Sequence, residues 1–161
     1  MKTWMIVCLL VLSCCYISPA VAQEKVDRAF VANAIKIKLS VSNPSFSLGE
    51  SVTVTITVAN TAKQPLHLPN TLYDWTVRRE DGGTVSETPE GRKRSESRLG
   101  ARTMNVTGSL DAGQSVSMKE NLSQLYLMDS PGVYLVGAAQ AMTDGTGTDY
   151  IKSNTLRITI Q

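Results

Sequence analysis

Cysteine is confined to the start of this 161-residue chain, where Cys8, Cys14 and Cys15 are the only three. The chain beyond them can form no internal disulfide. Histidine is equally scarce, since His67 is the only one, and zinc or copper sites need several histidine or cysteine ligands. A Ser-His-Asp hydrolase would have to use His67, and the chain has no G-x-S-x-G motif. We therefore expect no metal, no cofactor and no enzyme.

A strong excess of either charge is also missing. Lys and Arg number 16 against 14 Asp and Glu, which leaves a formal net charge of +2. This balance excludes a strongly basic nucleic-acid binder and an acidic tail protein. The hydrophobic fraction of 42% separates the chain from disordered proteins, whose hydrophobicity is low and whose net charge is high. The length suits one globular domain and a short additional segment.

The one long apolar run lies at the start of the chain. Residues 4–17 follow the basic start Met1-Lys2, and Ala20-Val21-Ala22 before Gln23 matches a signal-peptidase cleavage site. The run is shorter than the about 20 residues that span a bilayer comfortably. We predict a signal peptide at residues 1–22, a spacer at 23–33 and a secreted or periplasmic protein. An uncleaved anchor is the alternative. The lack of later cysteines favours a protein of the bacterial envelope over a eukaryotic secreted protein, which would often carry a disulfide.

A second alternative for the leader is lipidation. Leu12-Ser13-Cys14-Cys15 loosely resembles the lipobox that precedes a lipid-modified cysteine. A cysteine just before the modified one fits that pattern poorly, and Ala20-Val21-Ala22 follows closely. We expect membrane contact only if Cys14 or Cys15 carries a lipid.

After the leader, apolar and polar residues alternate with the period of two that is typical of half-buried strands. The clearest segments are 35–41, 52–58 and 132–143, and the small residues of the last one predict close packing against a neighbour. Turn residues separate these segments from shorter ones. The shorter predicted strands lie at 72–79, 84–87, 104–106, 116–122 and 156–160. The pattern predicts an all-β fold over 34–161: an antiparallel two-sheet immunoglobulin-like sandwich of about seven to eight strands.

Two aromatic residues are predicted to anchor the core. Trp75 lies in the middle of a predicted strand, where immunoglobulin-like sandwiches place a core tryptophan. Tyr134 ends the segment Asp129-Ser-Pro-Gly-Val-Tyr134 and resembles a tyrosine corner, in which the hydroxyl bonds to upstream backbone.

A set of short segments also follows the order found in one known family. The segments are Asn60-Thr61, Leu66–Leu68, Tyr73–Val77, Asp81–Gly83, Leu110–Gly113 and Pro131–Tyr134. Over about residues 35–160 the chain resembles the intracellular proteinase inhibitor domains of the BsuPI type. The resemblance implies an immunoglobulin-like sandwich and inhibition of a proteinase. The secretion leader and the charged insertion at 89–102 depart from that family.

The insertion at 89–102 is rich in cations and is predicted to be an exposed loop. Arginine binds carboxylates and phosphates with two parallel hydrogen bonds, so this loop is a candidate site for an anionic partner. A solvated loop without a ligand is the alternative. No aromatic residue lies between the cations, so nucleic-acid bases have nothing to stack on. The candidate binding residues are Arg92, Lys93, Arg94, Arg98 and Arg102.

The sequence brings together no acid, base, nucleophile or metal ligands that would indicate catalysis. We therefore expect a non-catalytic binding or scaffolding module of the bacterial cell envelope. Its partner would be another envelope protein or an anionic envelope polymer, and its edge strands could recruit a partner by strand addition. The alternative, implied only by the family resemblance, is a proteinase inhibitor.

Overall fold

The computed structural model describes residues 28–68, 73–100, 108–143 and 148–161. These residues form two helices, a 3₁₀ turn and ten strands around one core. In chain order the elements are α1 (Arg28–Ala34), β1 (Ile35–Ser40), β2 (Ser45–Phe46), β3 (Thr53–Asn60), β4 (Leu66–Leu68), β5 (Asp74–Arg79), α2 (Pro89–Gly100), β6 (Gly108–Leu110), β7 (Ser115–Asn121), the 3₁₀ turn (Leu122–Gln124), β8 (Gly132–Thr143), β9 (Thr148–Lys152) and β10 (Leu156–Ile160).

The strands form the predicted all-β sandwich. One sheet has the antiparallel order β1-β3-β7. The other has the order β2-β10-β8-β5, with β9 paired to β8 as well, and β4 pairs with β6 in a small separate ladder. The strand number exceeds the predicted seven to eight partly because β2 is an additional strand beyond the predicted segment 35–41. β1 joins the three-stranded sheet, whereas β2 pairs in parallel with β10 in the other sheet.

The core lies between the two sheets and is formed by the apolar residues that occupy alternate positions along the strands. On β3, Val54, Ile56 and Val58 are buried, while the threonines between them face outward. On the five-stranded sheet, Tyr134 and Val136 of β8 are buried in the same cluster. β-Branched side chains suit this pleated, half-buried surface, which explains why these strands were the clearest in the sequence.

Both predicted aromatic anchors lie in the core. Trp75 is 9% exposed and Tyr134 is 1% exposed. The hydroxyl of Tyr134 donates to the carbonyl oxygen of Ser130 at 2.8 Å, so the predicted tyrosine corner is confirmed. The guanidinium carbon of Arg79 lies 5.6 Å from the centre of the Tyr134 ring, within the range of a cation–π interaction.

The prediction of an exposed loop at 89–102 is wrong, because residues 89–100 form helix α2. The hydroxyl oxygen of Thr88 accepts the backbone N–H of Gly91 at 3.0 Å, and Pro89 occupies the first helical position. These are standard features of a helix start. The helix could not be predicted from the hydrophobic pattern, because segment 89–100 is polar and lacks the apolar stripe by which amphipathic helices are recognised.

Three further expectations need correction. Residues 84–87 form no return strand beside β5, and Glu87 makes only an isolated bridge to Tyr126. Leu122, expected on a strand, begins the 3₁₀ turn. Part of the predicted spacer 23–33 belongs to α1, where Val31 is fully buried. The predicted leader at 1–22, which contains the cysteines, and the predicted strand at 104–106 lie outside the described residues.

The tyrosine corner makes a direct prediction. Tyr134→Phe removes the bond to Ser130 and leaves the ring in place, so the free energy of unfolding should fall by about 1 kcal/mol. Tyr150→Phe is the matched control, because Tyr150 is 54% exposed and its change should leave stability unaltered. Urea unfolding of the three proteins measures both effects. Equal midpoints would contradict the role given to the Tyr134 hydroxyl.

The start of α2 makes a second prediction. A Cβ atom at Gly91 would overlap the backbone carbonyl of Leu125. Gly91→Ala should therefore push α2 off the segment 125–127 and lower the unfolding free energy by about 1–3 kcal/mol, the usual cost of overpacking. Gly108→Ala is the control, since a Cβ there meets no atom within 4 Å. A Gly91→Ala protein as stable as this control would show that the helix does not pack so closely.

Candidate binding groove

The three described members of the predicted cationic cluster, Arg92, Lys93 and Arg94, differ in exposure and in pairing. Arg92 and Lys93 are exposed on α2, whereas Arg94 is half-buried. The two terminal nitrogens of Arg94 donate to the two carboxylate oxygens of Glu120 on β7 at 2.7 and 2.8 Å. These hydrogen bonds raise the pKa of Arg94 above its usual value. Arg94 therefore attaches the helix to the three-stranded sheet.

The other two members of that cluster are Arg98 and Arg102. Arg102 lies outside the described residues, as does the side chain of Arg98 at the end of α2.

His67 lies on β4 in register with Ser109, in the small ladder. Among the described residues, no group of three histidine, cysteine or acidic side chains is close enough to hold a metal ion.

A groove opens instead on the outer face of the five-stranded sheet. It contains about 190 Å³ of space and crosses the central strand β8 between β5 and the segment that joins β9 to β10. Its walls combine two cations with several hydroxyl groups, and its floor consists mainly of small residues. The lining residues are Thr76, Arg78, Leu135, Gly137, Ala138, Lys152, Ser153 and Thr155.

The groove exists because the sheet contains a β-bulge at this point. The register pairs Ala139 with Lys152 and Val136 with Leu156, so two residues of β8 face three residues, 153–155, on the other side. Ser153 bridges the irregularity. Its hydroxyl oxygen accepts the N–H of Ala138 at 2.9 Å, and its backbone N–H donates to the carbonyl of Ala138 at 2.8 Å. Bulges of this kind bend the strand and redirect its side chains.

The bulge also turns Asn154 toward the other sheet. Its side-chain oxygen accepts the N–H of Leu39 on β1 at 2.7 Å, and its side-chain nitrogen donates to the carbonyl of Leu39 at 3.2 Å. The amide thus substitutes for a neighbouring strand at this point of β1. Because both sheets hold the bulge, its position beside the groove is well determined.

Gly137 provides the depth of the groove. It faces outward from β8 in register with Thr76, and a Cβ atom at this position would meet no atom within 4 Å. Ala139 and Ala141 continue the same outward face and are only half-buried. The prediction that the small residues of this strand pack closely therefore holds for Ala138 in the core, but the outward residues leave open space.

Two cations reach the groove from opposite walls. Arg78 lies on β5 across from Leu135, and Lys152 lies on β9 across from Ala139. Both residues are exposed, and within the described ranges neither forms an ion pair. By contrast, Arg79 is held by Asp81 at 2.6 Å and Arg157 by Glu80 at 2.7 Å. The charges of Arg78 and Lys152 are thus available to a ligand.

The two acidic residues that follow β5, Glu80 and Asp81, are both paired with arginines other than Arg78. Hydrogen bonds from Arg79, and a further one from the backbone of Gly83, hold the pKa of Asp81 at about 2. Arg157 likewise lowers the pKa of Glu80. In this structure these carboxylates bind Arg79 and Arg157 rather than Arg78 or Lys152.

The chemistry available at this groove is recognition of anionic and hydroxyl-bearing groups. The hydroxyl groups of Thr76 and Thr155 belong to exposed residues, whereas the Ser153 hydroxyl is occupied by Ala138 and by the carbonyl of Asn154. Sequence reasoning missed this site because Arg78 and Lys152 lie far apart in the chain. The available signal was the isolated glycine in the strand at 132–143, which marks a close approach or an open site.

Comparisons with known proteins identify no relative of this chain by sequence. No family model matches it, and neither does any curated protein. A search of solved structures finds the Pseudomonas fluorescens alkylpurine DNA glycosylase AlkC bound to DNA containing an abasic site analog, at 16% identity and a TM-score of 0.40. That match covers 80% of this chain and 30% of the glycosylase, so this chain spans less than a third of that protein.

A second structural match is the ASH/PapD-like domain 7 of human CEP192, at 14% identity and a TM-score of 0.24. It covers 78% of this chain and 82% of that domain. No helix among the described residues is long and apolar enough to cross a membrane.

The contrast among the α2 cations is testable. Arg94→Ser leaves Glu120 half-buried without its partner, so the unfolding free energy should fall by about 1 kcal/mol, between the values for exposed and buried pairs. The double change Arg92→Ser and Lys93→Ser should leave stability within about 0.5 kcal/mol of the wild type. Thermal or urea unfolding distinguishes them. Equal stability of all three proteins would contradict the attachment of α2 through Arg94.

Proposed function

We propose that this protein is an exported, non-catalytic binding or scaffolding module of the bacterial cell envelope. The observation that carries the proposal is the groove, where Arg78 and Lys152 face a common space and form no ion pair with any carboxylate of the described residues. Such a surface suits an anionic group of a partner, because charged side chains gain most from a ligand of opposite charge. The partner is another envelope protein or an anionic envelope polymer.

Export is supported by the sequence at the start of the chain. Residues 1–22 have the basic, apolar and small-residue regions of a cleavable leader, and every cysteine precedes the expected cleavage site. The domain encloses its apolar core with no disulfide among the described residues. A module of this kind can therefore fold in the envelope without depending on oxidation.

At the edge of β5, binding by strand addition has less support than binding on the sheet face. The outward edge of β5 is partly used, because the Tyr126 hydroxyl donates to the carbonyl of Trp75 at 3.2 Å and the N–H of Arg79 donates to Gly83. Strand addition needs a row of unpaired backbone groups. We therefore propose the groove, rather than the β5 edge, as the place where the partner binds.

Capture of partners from envelope extracts tests this proposal. The protein, expressed with its own leader and purified, should retain at least one envelope component. Arg78→Gln combined with Lys152→Gln should reduce this recovery several-fold. Lys38→Gln, which removes an exposed cation from β1 in the other sheet, is the control and should retain the component.

Recovery of no component above background would overturn the proposal, as would equal recovery by the groove variant and the control. A panel of serine proteases, incubated with the same purified protein, tests the alternative of inhibition. That alternative is supported only by the resemblance to the BsuPI-type domains.

A further inference from the structure

We infer that the groove binds an acidic polysaccharide, an extended sugar chain that carries carboxylates. This inference rests on the proposed binding function and specifies its ligand. The relevant surface comprises the lining of the groove and its continuation along Ala139, Ala141 and Tyr150, which we call the β8 channel.

The placement of the two cations favours a polymer over a small anion. Neighbouring strands lie about 4.8 Å apart, so the strands that carry Arg78 and Lys152 are separated by about 10 Å across β8. Along β8, their partners Leu135 and Ala139 are four residues apart, or roughly 13 Å. The charges are therefore staggered along the channel. A chain with repeated carboxylates can contact both cations, which a single small anion meets less readily.

The floor of the β8 channel favours a sugar over a peptide. Gly137 pairs with Thr76 and Ala139 pairs with both Asp74 and Lys152, so the backbone groups of β8 take part in ladders with their neighbours. An extended peptide lying on this face would find no backbone donors or acceptors, which it uses when it adds to a sheet edge. Hydroxyl groups and cations on side chains remain, and these suit the hydroxyl and carboxylate groups of a sugar.

An exposed aromatic ring extends the channel at one end. Tyr150 is 54% exposed and lies across from Ala141, on the same face as Lys152 and about 7 Å further along β9. The face of a tyrosine ring is electron-rich, so the C–H groups on the flat side of a sugar ring pack well against it. Gly137, Ala139 and Ala141 leave a low floor between this ring and Arg78.

One acidic residue limits where the carboxylates can lie. Asp74 is exposed and stands across from Ala139 on the β5 side of the channel. A carboxylate of the ligand gains more beside a cation than beside an acidic side chain. The ligand carboxylates are therefore placed at Arg78 and Lys152, and the uncharged parts of the rings near Asp74.

Titration of the purified full chain with defined oligomers tests the inference. The probes are an oligogalacturonate of about eight residues, its methyl-esterified form, which lacks the charges, and polyglutamate of the same length. Calorimetry or NMR shift mapping should detect the oligogalacturonate. The affinity for the ester and for polyglutamate should be at least about tenfold weaker, and binding should weaken as salt rises because exposed charges are screened.

Variants locate the site. Gly137→Val places a side chain on the floor of the groove, where a Cβ meets no atom within 4 Å, and should weaken binding at least about tenfold. Valine is favoured in strands, so the variant should still fold. Its matched control is Gly108→Val on β6, where a Cβ also meets no atom within 4 Å. Arg78→Gln and Lys152→Gln should each weaken binding about three- to fivefold, as expected for exposed charge pairs, while Lys38→Gln should not.

Four outcomes would overturn the inference. One is equal binding of polyglutamate or of the neutral ester, and another is unchanged oligogalacturonate binding by Gly137→Val. The third is loss of binding on changing Arg92 and Lys93 to Ser, which would place the ligand on α2. Absence of oligogalacturonate binding also contradicts the inference. If envelope capture still recovers a component that depends on Arg78 and Lys152, the broader proposed function stands and only the ligand is wrong.

Discussion

The side chain of Asn154 makes a link between the two sheets on which the position of the groove depends. Its amide pairs with both backbone polar groups of Leu39, so it connects the two sheets at a point where ordinary strand pairing is interrupted. A buried backbone group without a partner is costly, and the amide removes that cost at β1. The same residue belongs to the bulge that opens the groove. Asn154 thus belongs both to a polar link between the sheets and to the rim of the candidate binding site.

The helix that replaces the predicted loop shows how a polar segment acquires a defined position. Thr88 caps α2, and its hydroxyl also donates to the carbonyl of Gln124. Gly91 permits contact with Leu125, and Arg94 binds Glu120 on β7. Each contact joins α2 to a different part of the turn 122–126 or to the three-stranded sheet. A helix with almost no apolar face is therefore positioned by hydrogen bonds, an ion pair and one close backbone approach.

Much of the fold could be predicted from the sequence, but little of the site. Strands β1, β3, β8 and β10 followed from alternation, because one face of each must be apolar to bury the core. The tyrosine corner followed from a local segment. Arg78 and Lys152 had no such signal, since either is an ordinary exposed cation on a strand. Their significance depends on β8 lying between them and on the absence of a side chain at Gly137.

The sequence by itself determined the periodicity of the strands, the aromatic anchors and the absence of cysteine after Cys15, since these depend only on residue type and local spacing. Tertiary structure alone decided which cations are paired. Arg94, in the middle of the predicted binding cluster, bonds to Glu120, while Arg78 and Lys152 face a shared groove. Charges act over a few ångströms in space whatever their separation along the chain. Sequence order therefore could not reveal which ones would meet.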